Sequence, residues 1–143
     1  MAYCPIEKPA GRIKKFIAIA AVSLERIISL AKDAETGQRG YIITGEAAYL
    51  EPYNGAIATI DEQVNALEQL VREHPAQQAL IPALKNRIAD RLKILQEGLA
   101  LRKEKGFDAA REMILTDRGK IEMDELRGKD AKSVCHGRHA GRR

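Results

Sequence analysis

The chain has 143 residues and a mass of 15.8 kDa, the size of one compact domain. Hydrophobic residues make up 45% and aromatics 4%, with no Trp, so a core must come from Leu, Ile, Val and Ala; five Pro and eleven Gly are too few for a loop-rich β protein or a disordered chain. The net charge of +4 belongs to the two ends: residues 16–128 carry fifteen Lys/Arg against eighteen acids, and an acidic body poor in aromatics argues against a nucleic-acid partner.

Residues 1–12 read as an N-terminal extension. The first periodic segment follows, with Ile13, Ile17, Ala20, Leu24, Ile27, Ala31, Ala34 and Tyr41 on alternating steps of four and three. Gln38 occupies the one polar slot. About 30 residues at 1.5 Å each predict a helix roughly 45 Å long. The longest apolar run, Phe16 to Val22, is seven residues, whereas roughly 20 are needed to span a bilayer. A break at Thr44-Gly45-Glu46 ends this segment, and Pro52 predicts a second helix starting beside it. Leu50, Tyr53, Ile57, Ile60, Val64, Leu67 and Val71 form its stripe. The next break is His74-Pro75-Ala76, where Pro75 drives its neighbour out of the helical region. Ile81, Leu84, Ile88, Leu95 and Leu99 mark the third helix, and Lys105-Gly106-Phe107-Asp108 the third break. The fourth stripe is weaker: Phe107, Ala110, Ile114, Ile121 and Leu126, widened by Met113 and Leu115. A 3.5-residue repeat packs helices nearly parallel. Short connections then predict an all-α fold, an antiparallel up-down-up-down four-helix bundle with long helices over residues 13–128. Both chain ends would leave it at the same end.

From about Lys129 the pattern stops. Two origins suit residues 129–143, an expression remnant or a native basic tail. Cys4 and Cys135 lie near opposite ends of the chain; they read as free thiols, or as a bridge if the termini meet. Cys135-His136-x-x-His139 has soft-ligand spacing, but no surrounding groups to orient the ligands.

The body offers little to an enzyme. No Glu stands three residues before His74, His136 or His139, which removes the di-iron motif of helical bundles. Cys-x-x-Cys-His, a Gly-rich phosphate loop and a Ser-His-Asp arrangement are all missing. His74 precedes a proline at a helix end, a turn position rather than a phosphoacceptor position. No cofactor, metal or catalytic residue is expected.

One stretch is unusual: Asp33-Ala34-Glu35-Thr36-Gly37-Gln38-Arg39-Gly40-Tyr41. Each glycine costs a helix about 1 kcal/mol relative to Ala, so close approach of a neighbouring helix is expected in compensation. Glu35 and Arg39 are placed for an i,i+4 ion pair, worth about 0.3–0.5 kcal/mol if exposed. Beside a glycine gap the pair would instead fix helix register, or form a ligand site. Tyr41, Tyr49 and Tyr53 gather near the same turn and would cap the core with their hydroxyls toward water.

This stretch, continued by Ile42-Ile43-Thr44-Gly45 and Tyr49-Leu50-Glu51-Pro52-Tyr53, closely resembles the signature of the third class of CHASE sensory domains. Gly119-Lys120-x-x-Met123-Asp124-Glu125-Leu126-Arg127 resembles that family's ending, and the likeness covers roughly residues 20–128. It implies an extracytoplasmic signal-input domain, on the periplasmic or extracellular face of the bacterial inner membrane. Such a domain lies between two transmembrane helices of a receptor, with a histidine kinase of a two-component system as the usual output. A diguanylate cyclase or a chemotaxis-type module is the alternative. The likeness supplies no ligand-binding residues. The expectation is a sensor working as a homodimer, driven by a small molecule or protein, and attached to the membrane only through flanking spans. Asp33, Glu35, Thr36, Gly37, Arg39, Gly40 and Tyr41 are the signature and switch candidates. A stand-alone cytoplasmic scaffold or adaptor is the reading of another class; it leaves the signature unexplained.

Overall fold

A computed structural model describes residues 9–130, which are helical apart from short connections. Helix α1 spans Pro9–Thr44, 36 residues or roughly 54 Å. Its end is closed three times over. Gly45, at φ +74°, donates its N–H to the Tyr41 carbonyl at 2.7 Å, the left-handed cap that glycine adopts without steric cost. The Thr44 hydroxyl donates to Gly40 O at 2.8 Å and accepts from the Glu46 N–H at 3.1 Å. Arg102 reaches across from another helix and donates Nε to Ile42 O at 2.8 Å.

A 3₁₀ turn, Ala47–Leu50, leads into α2, Glu51–Leu70, with Pro52 in its first turn as expected. After Val71 the chain makes a one-turn helix, α3, Pro75–Gln78, and enters α4, Ile81–Lys105. Arg102, Lys103 and Lys105 stand in the last turn of α4, where cations complement the helix dipole. Gly106, at φ +89°, turns the chain into α5, Phe107–Leu115. Helix α6, Arg118–Glu125, ends in a π-type turn over Leu126–Asp130.

Side-chain partners give the relative directions. Phe16 of α1 stacks on His74 just beyond α2, ring centroids 3.7 Å apart, while Gly37 of α1 meets Tyr53 at the start of α2. These helices run oppositely. Lys85 at the start of α4 pairs with Glu68 near the end of α2 at 2.6 Å, so α4 reverses again. Arg87 of α4 lies 3.6 Å from Glu122 and 3.5 Å from Glu125 of α6, and Glu97 of α4 lies 3.0 Å from Arg118. Helix α6 therefore runs back along α4.

The main core joins Ala20, Leu24, Ile27, Ile28 and Ala31 of α1 to Ile60, Val64 and Leu67 of α2. Leu84 and Ile88 of α4, with Met123 and Leu126, complete it. A smaller cluster holds Ala34, Tyr53, Ala56 and Leu95.

The all-helical class stands, while three features depart from the sequence reading. The fourth segment is not one helix: Asp117 takes a left-handed conformation, φ 58°, and separates α5 from α6. Phe107 and Ile114 of α5 and Ile121 beyond the break, all expected in the core, are exposed, while Met123 is buried. Ile13, expected on the buried stripe, is 55% exposed, because the core begins at Ala20. Cys4, Cys135, His136, His139 and the tail from Ala131 lie outside the described residues.

Candidate functional site

The signature stretch lies in the second half of α1 and presents different residues to different neighbours. Toward α2 it is nearly bare. A Cβ at Gly37 would sit 2.7 Å from the backbone nitrogen of Tyr53, and one at Gly40 would sit 2.9 Å from the ring of Tyr49. The expected close approach is therefore present, and at Gly37 it is backbone that blocks any side chain. Tyr53 is buried, and burial raises its phenol pKa, with a hydrogen bond to Gln96 acting the other way. Tyr41 is buried too, whereas Tyr49 is half exposed over Gly40.

Toward α4 and α6 the same helix is polar. Glu35 divides its carboxylate between two arginines. Oε1 accepts from Arg39 Nη2 at 2.6 Å, the expected i,i+4 pair, and Oε2 lies 2.9 Å from Arg91 Nη2. The two arginines differ in solvation: the Arg39 side chain is 55% exposed and that of Arg91 only 3%. Burial lowers the Arg91 pKa; Glu35 opposes this, and Arg39 adds to it. The buried Nε of Arg91 has no hydrogen-bond partner, and neither does Oε2 of Glu122. An Arg91 Nη atom would lie 2.5 Å from a Cβ at Gly119, so the absence of a side chain there makes room for the guanidinium.

One turn further along α1, Gln38 is buried and donates Nε2 to the Leu95 carbonyl at 3.0 Å. A Cβ at Gly98 would collide with that amide, so this glycine too is fitted to a partner. Buried amides and guanidinium groups are costly unless paired, so these contacts fix the register of α1 against α4.

The signature residues thus divide. Glu35 links Arg39 to Arg91, whose guanidinium lies over Gly119; Gly37, Gly40 and Tyr41 serve helix packing and the end of α1. Asp33 and Thr36 are exposed, and the Thr36 hydroxyl bonds back to Lys32 O at 2.9 Å. Arg91, Gln38, Gly98, Gly119 and Arg102 complete the arrangement and were not singled out as site residues. For Arg91 a signal existed. The stripe Ile81, Leu84, Ile88 and Leu95 omits one core-facing step, and position 91 fills it. No cluster of His, Cys, Asp or Glu suited to a metal ion occurs among the described residues. No helix among them is long and apolar enough to cross a membrane.

Beside Glu35, Arg39 and Arg91 a cleft of about 270 Å³ opens between α1, α4 and the α5–α6 segment. Its geometry gives the signature a location in space. Comparison with protein families then places the chain. The CHASE3 domain family matches residues 19–132. The chain belongs to the CHASE3 domains, which are extracellular, non-catalytic sensory domains. Neither curated proteins nor solved structures gave a match.

Proposed function

We propose that the chain is the signal-input domain of a bacterial transmembrane receptor whose output is a histidine kinase of a two-component system. The CHASE3 match over residues 19–132 carries this reading. Placement of the domain between two membrane-spanning helices, on the periplasmic side, belongs to the same proposal. Signalling then requires two packings of the helices with unequal affinity for the stimulus. A shift of an ångström or two, or a rotation, between α1 and the returning α5–α6 segment would pass to the spans. The Glu35–Arg91 contact and the Gly37–Tyr53 contact support this part, because α1 is held there by directional contacts on two sides.

The full coding sequence on both sides of residues 19–132 is the test. Apolar spans of roughly 20 residues on both flanks, with a kinase downstream, are expected. A cyclase or chemotaxis module downstream would keep the sensor and replace the output; a parent without spans would overturn the receptor. In the full receptor, Glu35→Ala and Arg39→Ala are expected to alter signalling, and unchanged signalling in both would remove the switch from this site. The reading includes a second copy of the chain beside the first, which sedimentation of the purified domain tests.

A further inference from the structure

The cleft beside the signature is lined by four basic and three acidic side chains. Arg91 forms its buried floor, and Arg39, Lys120 and Arg127 stand at its exposed rim. Of the acids, Glu35 already spreads one negative charge over two guanidinium groups. Asp117 and Asp124 lie on the rim. The lining therefore carries one net positive charge, with the Glu122 carboxylate also attracting Arg91. A charged donor, Arg91 Nε, also stands buried without a partner, and a buried donor left unpaired is costly. The lining also holds apolar side chains, Ile94, Met113, Ile114 and the buried Met123. A volume of about 270 Å³ is below the usual range for drug-sized ligands and suits a molecule of a few heavy atoms.

We infer that this cleft binds a small carboxylate with a short apolar tail. The carboxylate meets the guanidinium fork of Arg91 together with Arg39 and Lys120, and the tail lies on Met113, Ile114 and Ile94. A guanidinium matches a carboxylate in a planar, two-point geometry, which gives orientation as well as charge. Such a ligand touches α1, α4 and α6 at once. It would compete with Glu35 for Arg91 and so act on the contact that sets the position of α1. The inference deepens the sensor reading by naming the class of stimulus, and it rests on that reading for its physiological meaning.

Titration of the purified full chain with sodium hexanoate, followed by calorimetry and amide NMR, tests it. Hexanamide and inorganic phosphate are the comparison probes: the first has the tail without the charge, the second a charge without the tail. Saturable hexanoate binding is expected, with resonance shifts at Gly119 and along α5, and with both comparison probes at least about tenfold weaker. Arg39→Gln and Lys120→Gln, both at exposed positions, are each expected to weaken hexanoate about tenfold. Lys103→Gln, the same charge change outside the cleft, leaves it unaltered. Absence of saturable binding, phosphate binding as tight as hexanoate, or unchanged binding by R39Q/K120Q would overturn the assignment. None of these readouts involves the receptor, so a failed ligand leaves the sensor reading standing. A parent without membrane spans leaves the ligand standing.

Discussion

Helix α1 is held in two ways along its length. From Ala20 to Ala31 its buried face is entirely apolar and packs into the main core with Ile60, Leu67, Leu84 and Leu126. From Ala34 to Ile42 the apolar cluster is small, and the contacts are directional: a shared carboxylate, a buried amide, glycines against backbone and ring, and an arginine on a terminal carbonyl. Apolar burial is non-directional and tolerates small slips. Hydrogen bonds and glycine contacts tolerate almost none, since an ångström separates a good bond from no bond. The first region thus supplies stability and the second supplies register.

The sharpest break of this comparison lies in the charge cluster. Glu35→Ala leaves Arg91 buried without its carboxylate and is expected to cost about 3 kcal/mol, the scale for removing one partner of a buried pair. Arg91→Met leaves Glu35 with the solvent-exposed Arg39 and removes an unpartnered donor, so a change below about 1 kcal/mol is expected. Chemical denaturation of the two variants measures the asymmetry; equal losses would mean that the guanidinium is a structural anchor in its own right. Of similar size is Leu67→Ala in the lower core, about 3 kcal/mol from a fully buried side chain. Its slope against denaturant should stay near that of the parent, because it removes apolar contact without changing register.

Next come the glycines. Gly37→Ala should destabilise by about 2 kcal/mol, because the new methyl meets the Tyr53 backbone and outweighs the gain in helix propensity. Gly55→Ala, on α2 with nothing within 4 Å, should stabilise by about 1 kcal/mol. Opposite signs in thermal melts of the two variants are the expected result. The smallest effect belongs to Glu68→Ala, whose pair with Lys85 is about 40% exposed on both sides. Its loss should cost about 0.5 kcal/mol or less, and should shrink further in added salt.

Much of this division was legible in the residues. The lower stripe of α1 is a long, regular repeat of apolar side chains, and long repeats define both helix and face. Gly37 and Gly40 announced a close neighbour because nothing else offsets two glycines inside a helix. The partner of Glu35 was harder to see. Arg39 lies one turn away in sequence and Arg91 lies 56 positions away, and an arginine in a core-facing step reads as a gap in a stripe. The interruption at Asp117 was not legible, since a non-glycine residue in a left-handed conformation is set by its surroundings more than by its own preference. Beyond the break the helical phase is reset, so Ile121 is exposed and Met123 is buried.

That interruption also gives the domain unequal mechanical parts. Helix α1 is one unbroken strut of 36 residues, hydrogen-bonded along its whole length. The return path is two segments of nine and eight residues jointed at Thr116-Asp117. A strut carries a push or a twist from one end to the other, whereas a jointed arm yields at its elbow. The elbow stands at the mouth of the cleft, with Asp117 on the lining. Pressure applied there bends the arm locally and leaves the strut to carry whatever force travels the length of the molecule.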